Sequence, residues 1–140
     1  MRIAKIKSKS CLRRAWQTRW LQSKEYRQTK LWLPNLRDIT GALLSRDRSS
    51  VGQIVQAITG FNNLAYHTKN KGEFDDDSCR LCLEDREEFW HIASQCPAVA
   101  SNWVSIFGPS GPIPEIWQIH DIERLIAIPE VEEILLERPE

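Results

Sequence analysis

Cys79, Cys82, His91 and Cys96 fall within 18 residues, in the pattern C-x2-C-x8-H-x4-C. Three thiolates and one imidazole form a standard closed ligand set for zinc, which favours four such donors in a tetrahedron. The C-x2-C step lets a tight turn offer two thiolates to one ion. The x4 step from His91 to Cys96 lets a helix carry the histidine and present a thiolate just past its end. Four protein ligands leave no open coordination position, so the chemistry implied is structural, not catalytic. The competing readings are ordinary buried cysteines or a disulfide. The first 7 residues, Met-Arg-Ile-Ala-Lys-Ile-Lys, carry charges with no apolar run after them, so no signal peptide is expected. That places the chain inside the cell, in the nucleus or cytoplasm, where clustered cysteines point to metal rather than to a disulfide.

The elements around this group read as helices. Leu12, Trp16 and Trp20 recur at i, i+4 and i+8, which predicts a helix over 10–21, with residues 1–9 frayed. That stripe reads as core, with Arg13, Arg14, Arg19 and Lys24 on the remaining face. The alternative is that tryptophans interleaved with cations stack on single-stranded nucleic acid. Residues 25–33 lack caps and read as an extended link closed by Pro34. Asn35 is a cap candidate for a helix through 45, with Leu36, Ile39, Leu43 and Leu44 apolar. Ser49 or Ser50 is the cap candidate for a helix over 51–59, stopped by Gly60. A short helix over 62–69 follows. Phe74 lies in an acidic turn with Asp75, Asp76 and Asp77, read as a solvated loop and not a magnesium site. Within the cysteine segment a helix is expected to begin near Glu84 or Asp85, its acids complementing the helix dipole. Further helices are expected over 98–107, after a cap at Asp121, and around Val131 to Leu136. No convincing strand emerges. The expected fold is mainly α, a small helical domain stapled by one CCHC zinc site. Its expected parts are a basic helix and linker (1–34), the zinc-bearing helical domain (35–107) and an acidic helical tail (108–140).

The formal net charge is zero, with 19 Lys+Arg and 19 Asp+Glu. Residues 1–72 hold 15 basic and 3 acidic residues, a net +12, and residues 73–140 hold 4 and 16, a net −12. A basic half beside an acidic half implies a face for polyanions, or two halves that attract each other within the fold. No nucleophile–base pair, glycine-rich phosphate loop or open metal site is evident, so no catalytic residue and no small-molecule substrate are expected. No run approaches the ~20 apolar residues that span a bilayer. Cys11 has no assigned role.

The order of motifs resembles a known arrangement. Arg-Gln-Thr-Lys (27–30), Trp32 and Pro34 are followed by Ile-Thr-Gly (58–60), His67, Cys79-Arg-Leu-Cys82, Glu88, His91 and Cys96-Pro97. Over roughly residues 12–97 this resembles the carboxy-terminal tail of jockey-like non-LTR retrotransposon polyproteins, downstream of reverse transcriptase and ribonuclease H domains. The resemblance implies a non-catalytic, zinc-binding tail that engages RNA or single-stranded DNA, alongside the polymerase and nuclease domains of a parent polyprotein. It implies zinc on Cys79, Cys82, His91 and Cys96, and Glu88 matches the position of a hydrogen-bond acceptor for the imidazole, the competing reading being an acid on the helix surface. The family usually has a histidine after Ile-Thr-Gly, where this chain has Phe61. The basic residues expected from their charge to meet nucleic acid are Arg13, Arg14, Arg19, Lys24, Arg27 and Lys30. The alternative function is a zinc-stabilised protein-interaction module, favoured by the acidic knuckle, whose cations are only Arg80 and Arg86.

Overall fold

The structure is a computed structural model that describes residues 2–35, 37–73, 75–137 and 139, with the side chains of residues 2–8 left aside. Leu36 and Phe74 lie outside the described residues. Among the described residues the chain is helical without strands: α1 (Arg2–Gln22), α2 (Arg27–Trp32), α3 (Thr40–Leu44), α4 (Arg48–Thr59), α5 (Ala65–Asn70), α6 (Phe89–Ser94), α7 (Ala100–Phe107), α8 (Ile119–Ile126) and α9 (Pro129–Leu136). One antiparallel bridge, Ser78 with Arg86, closes the segment before α6. No helix among the described residues is long and apolar enough to cross a membrane.

Local chemistry accounts for several boundaries. The Asp47 carboxylate accepts from the Ser50 amide at 2.8 Å and starts α4, so the cap lies before the Ser49 or Ser50 expected from the sequence. Ile54, Ala57 and Ile58 recur at helical spacing and are buried. Gly60 ends α4 at φ 78°, a left-handed conformation that glycine adopts without strain. A Cβ at Gly60 would lie 2.3 Å from the Gln28 side chain, so this glycine also lets α2 approach α4. Asp121 does not itself cap α8: it sits three residues in, and its carboxylate accepts from the Gln118 amide at 2.9 Å. Pro129 opens α9, where its missing N–H costs nothing.

Trp32 lies at the centre of the core. It is 1% exposed, and its ring meets Phe89 at 5.5 Å, Trp90 at 4.9 Å, Phe107 at 6.3 Å and Trp117 at 5.6 Å. The Trp117 indole donates to the Trp32 carbonyl at 3.0 Å, so a buried polar tip is satisfied. The same core takes in Ile54 and Ile58 of α4, Ile92 of α6, Ile122 and Leu125 of α8, and Val131 and Ile134 of α9. It therefore crosses both boundaries drawn from the sequence, at 34 and at 107.

Four expectations are corrected here. Residues 27–32 are helical, not extended: burying Trp32 overrides a weak local signal, with Tyr26 turning the chain at φ 61°. The helix expected over 35–45 is confined to Thr40–Leu44. Arg37 is drawn away to the carbonyls of Pro114 and Trp117, Asn35 donates to Glu115 at 3.1 Å, and Asp38 accepts from the Thr40 amide. The 12–16–20 stripe is not core. Leu12 is 64% exposed and Trp16 61%, and only Trp20 is half-buried, its indole donating to the Leu33 carbonyl at 2.7 Å. The expected frayed start instead belongs to α1, which runs from Arg2.

Replacing Trp32 with alanine removes the ring on which four aromatic neighbours pack. Trp32→Ala is expected to cost about 3–5 kcal/mol, the range for deleting a buried aromatic side chain. A urea titration followed by far-UV circular dichroism measures it.

Candidate metal centre

Two of the sulfur donors, Cys79 and Cys82, come from a turn. The Leu83 amide donates to the Cys79 carbonyl at 2.8 Å and the Cys79 amide to the Asp85 carbonyl at 2.7 Å. Leu83 takes the left-handed conformation at φ 65°, uncommon outside glycine and asparagine. Beyond it the Glu84 and Asp85 amides hydrogen-bond the Cys82 sulfur. The third and fourth donors come from α6. His91 lies within the helix, and Cys96 stands just past its end, where the Cys96 amide donates to the His91 carbonyl at 2.8 Å. Trp103 of α7 donates to the Cys96 carbonyl at 3.1 Å and fixes that end. Phe89, Ile92 and Ala93 bury the rest of α6 in the core.

The helix expected from Glu84 or Asp85 starts only at Phe89. The intervening residues are used in the turn and in the Ser78–Arg86 bridge. The acids of 84–88 therefore do not occupy a first helical turn.

The four ligand atoms lie within 4.8 Å of one another, close enough to bind a metal ion. Cys79 and Cys96 Sγ are 3.9 Å apart, and Cys82 Sγ is 3.3 Å from Nε2 of His91. With thiolate and imidazole bonds of about 2.3 and 2.0–2.1 Å, the edges of a tetrahedron are about 3.8 Å between two sulfurs and about 3.5 Å between sulfur and nitrogen. The observed pairs match those edges. They do not match a disulfide, whose sulfurs are about 2.05 Å apart. All four cysteines are free thiols, and Cys11 is exposed on α1, apart from the group.

The thiols differ in proton affinity. Burial pushes Cys79 up to about 12, and it also raises Cys96. At Cys82 burial acts the same way. The Asp85 and Glu84 amides and the His91 ring outweigh it and bring the value down to about 7. Cys82 is therefore the thiolate available to a cation at neutral pH.

Around the ligands the structure differs from what the resemblance implies. Glu88 is buried, and its carboxylate takes the Arg27 guanidinium. Nδ1 of His91 is buried with no hydrogen-bond partner among the described residues, so Glu88 does not serve as its acceptor. Arg27 and Lys30 are engaged in the fold: Arg27 on Glu88 and over the Tyr66 ring, Lys30 on the Ser23 carbonyl and over the Trp20 ring. Arg13, Arg14, Arg19 and Lys24 are exposed.

Sequence reasoning missed Glu87. It is fully buried, and its two oxygens accept from the Ala65 amide at 2.9 Å, the Arg80 amide at 2.6 Å and the Arg80 guanidinium at 2.7–3.0 Å. Arg80 also donates to the carbonyls of Asn63, Ile134 and Glu137. Nothing in residue type separates Glu87 from exposed Glu84, so no sequence signal marks it.

No family model matches the chain, and no curated protein or solved structure matches it either.

Two outcomes are expected. A divalent metal should bind at one per chain, with Cys79→Ser abolishing binding and Cys11→Ser leaving it unchanged, read by cobalt(II) absorption in the visible. Affinity should fall with falling pH, because metal displaces thiol protons. Above about pH 7 the protons come from Cys79 and Cys96, and below it Cys82 adds another, so the dependence steepens. Competition with a chromophoric chelator from about pH 6 to about pH 8 measures that slope.

Proposed function

We propose that the chain is a zinc-stapled, non-catalytic domain that binds single-stranded RNA or DNA, of the kind that forms the tail of jockey-like retrotransposon polyproteins. Zinc is the natural ion for three cysteine sulfurs and an imidazole that lie within 4.8 Å of one another. Bound zinc supplies a cross-link between the 79–82 turn and the far end of α6, and the chain's own residues do the rest.

The observation that carries the nucleic-acid reading is the exposed face of α1. Trp16, at 61% exposure, is surrounded by Lys9, Leu12 and Arg13. Arg14 and Arg19 are exposed on the same helix. An indole open to solvent among cations offers a stacking surface and phosphate neutralisation together, which is how sequence-tolerant single-strand binders work. α1 carries no acid at all, while the knuckle exposes Glu84 and Asp85. The zinc knuckle thus holds the framework, and the arm makes the contacts. The reverse transcriptase and ribonuclease H domains of a parent polyprotein are the expected neighbours of such a tail.

One observation favours the second reading, a protein-interaction module. Arg80, a cation inside the knuckle turn, points into the fold and is consumed by Glu87. What remains exposed on the knuckle is largely acidic, which suits a basic protein partner.

Fluorescence anisotropy of a labelled single-stranded RNA across salt tests the first reading. Log affinity should fall linearly with log salt, and the triple variant Arg13→Ala, Arg14→Ala, Arg19→Ala should shallow that slope by about 3, roughly one per lost phosphate contact. A slope near zero for the parent chain sinks the nucleic-acid reading and leaves the interaction module.

A further inference from the structure

A crevice of about 370 Å³ opens between α4, the α4–α5 loop, α5 and α9, away from the metal ligands. That volume sits at the small end of ligand sites, which run from about 300 to 1,000 Å³. Its rim and floor carry Gln53, Gln56, Phe61, His67, Lys71 and Glu132.

Phe61 is 67% exposed, yet its ring is held, with its centroid 4.4 Å from that of His67. Nε2 of His67 is buried and makes no hydrogen bond to any described residue. A buried polar nitrogen without a partner is costly, and an incoming ligand atom removes that cost. Burial and, secondarily, Lys71 push the His67 pKa below the ordinary histidine value, against Glu73. The ring is therefore neutral at pH 7 and presents either a donor or an acceptor according to its tautomer. The Asn62 and Asn63 amides are already committed, to the carbonyls of Gln56 and Leu135 at 3.1 and 3.0 Å, so the loop wall is fixed.

We propose that this crevice takes one unstacked nucleobase of a bound single strand. Phe61 is the stacking surface. His67 Nε2 and the amides of Gln53 and Gln56 meet the base edge, where donor and acceptor alternate. Glu132 accepts from an exocyclic amine. Lys71, 3.6 Å from Glu73, stands at the adjoining phosphate. The inference rests on the single-strand reading and assigns it a second contact region, separate from α1.

The test is an amide NMR titration of the full zinc-loaded chain with adenosine 5′-monophosphate. Shifts are expected in residues 53–71 and 126–136 and not in α1. Phe61→Ala, a surface change, should weaken binding by about 5- to 150-fold, the range for losing one base–aromatic stack. Uridine 5′-monophosphate, which lacks the exocyclic amine, should bind more weakly, and equal binding would overturn the base-edge assignment. The triple α1 variant should lose RNA affinity and keep the nucleotide. Absence of shifts with AMP, in a chain that still binds RNA, overturns the crevice proposal and spares the function. Nucleotide binding without RNA binding removes the single-strand reading and overturns the proposal with it, leaving a mononucleotide site.

Discussion

A carboxylate with no solvent exposure is tolerated only when its oxygens are filled with donors. Glu87 meets that condition through Arg80 and the Ala65 amide, and the arrangement ties three parts of the chain together. The Arg80 backbone lies inside the cysteine turn, while its guanidinium reaches carbonyls at the end of α9 and in the loop before α5. The four clustered side chains are thereby set from two sides: α6 is held by the aromatic core, and the turn is held by an ion pair whose carboxylate is fully buried. The knuckle is not an independent module hung on a helical domain. Its geometry depends on helices more than fifty residues away.

The site was legible in the sequence because metal chemistry needs particular side chains at particular intervals. C-x2-C-x8-H-x4-C survives any uncertainty about the backbone between its members. The fold class was legible for a similar reason: helical spacing of apolar residues marked α4, α7, α8 and α9. What was not legible depended on contacts distant in sequence. Residues 27–32 have no capping signal, and Trp32 makes them helical by finding Trp117 and Phe107 to pack against. Leu12 and Trp16 carry a helical stripe like a core stripe, and no local pattern reveals that the body turns away from it. Glu88 sits where an acceptor for His91 was implied, but Arg27 on α2 takes its carboxylate.

The opposed charges of the two halves are used in part within the fold. Arg27 with Glu88, Arg46 with Glu123 and Lys69 with Asp77 all join the basic half to the acidic one. Such pairs are worth about 0–1 kcal/mol each where solvent reaches them, so they select the register of the halves more than they stabilise it. The cations of α1 are in none of these three pairs, and they leave the molecule electrically lopsided although its formal total is zero.

Helix α1 is fastened near its carboxyl end, where Gln17 donates to the Pro34 carbonyl at 2.7 Å and Trp20 to that of Leu33. Both acceptors follow directly on Trp32. Mechanically, α1 is a lever whose fulcrum adjoins the central ring of the core. A load taken up near Trp16 is transmitted through these two hydrogen bonds to the backbone just behind Trp32. The arm and the aromatic core are thus one mechanical unit, joined through the Leu33 and Pro34 carbonyls.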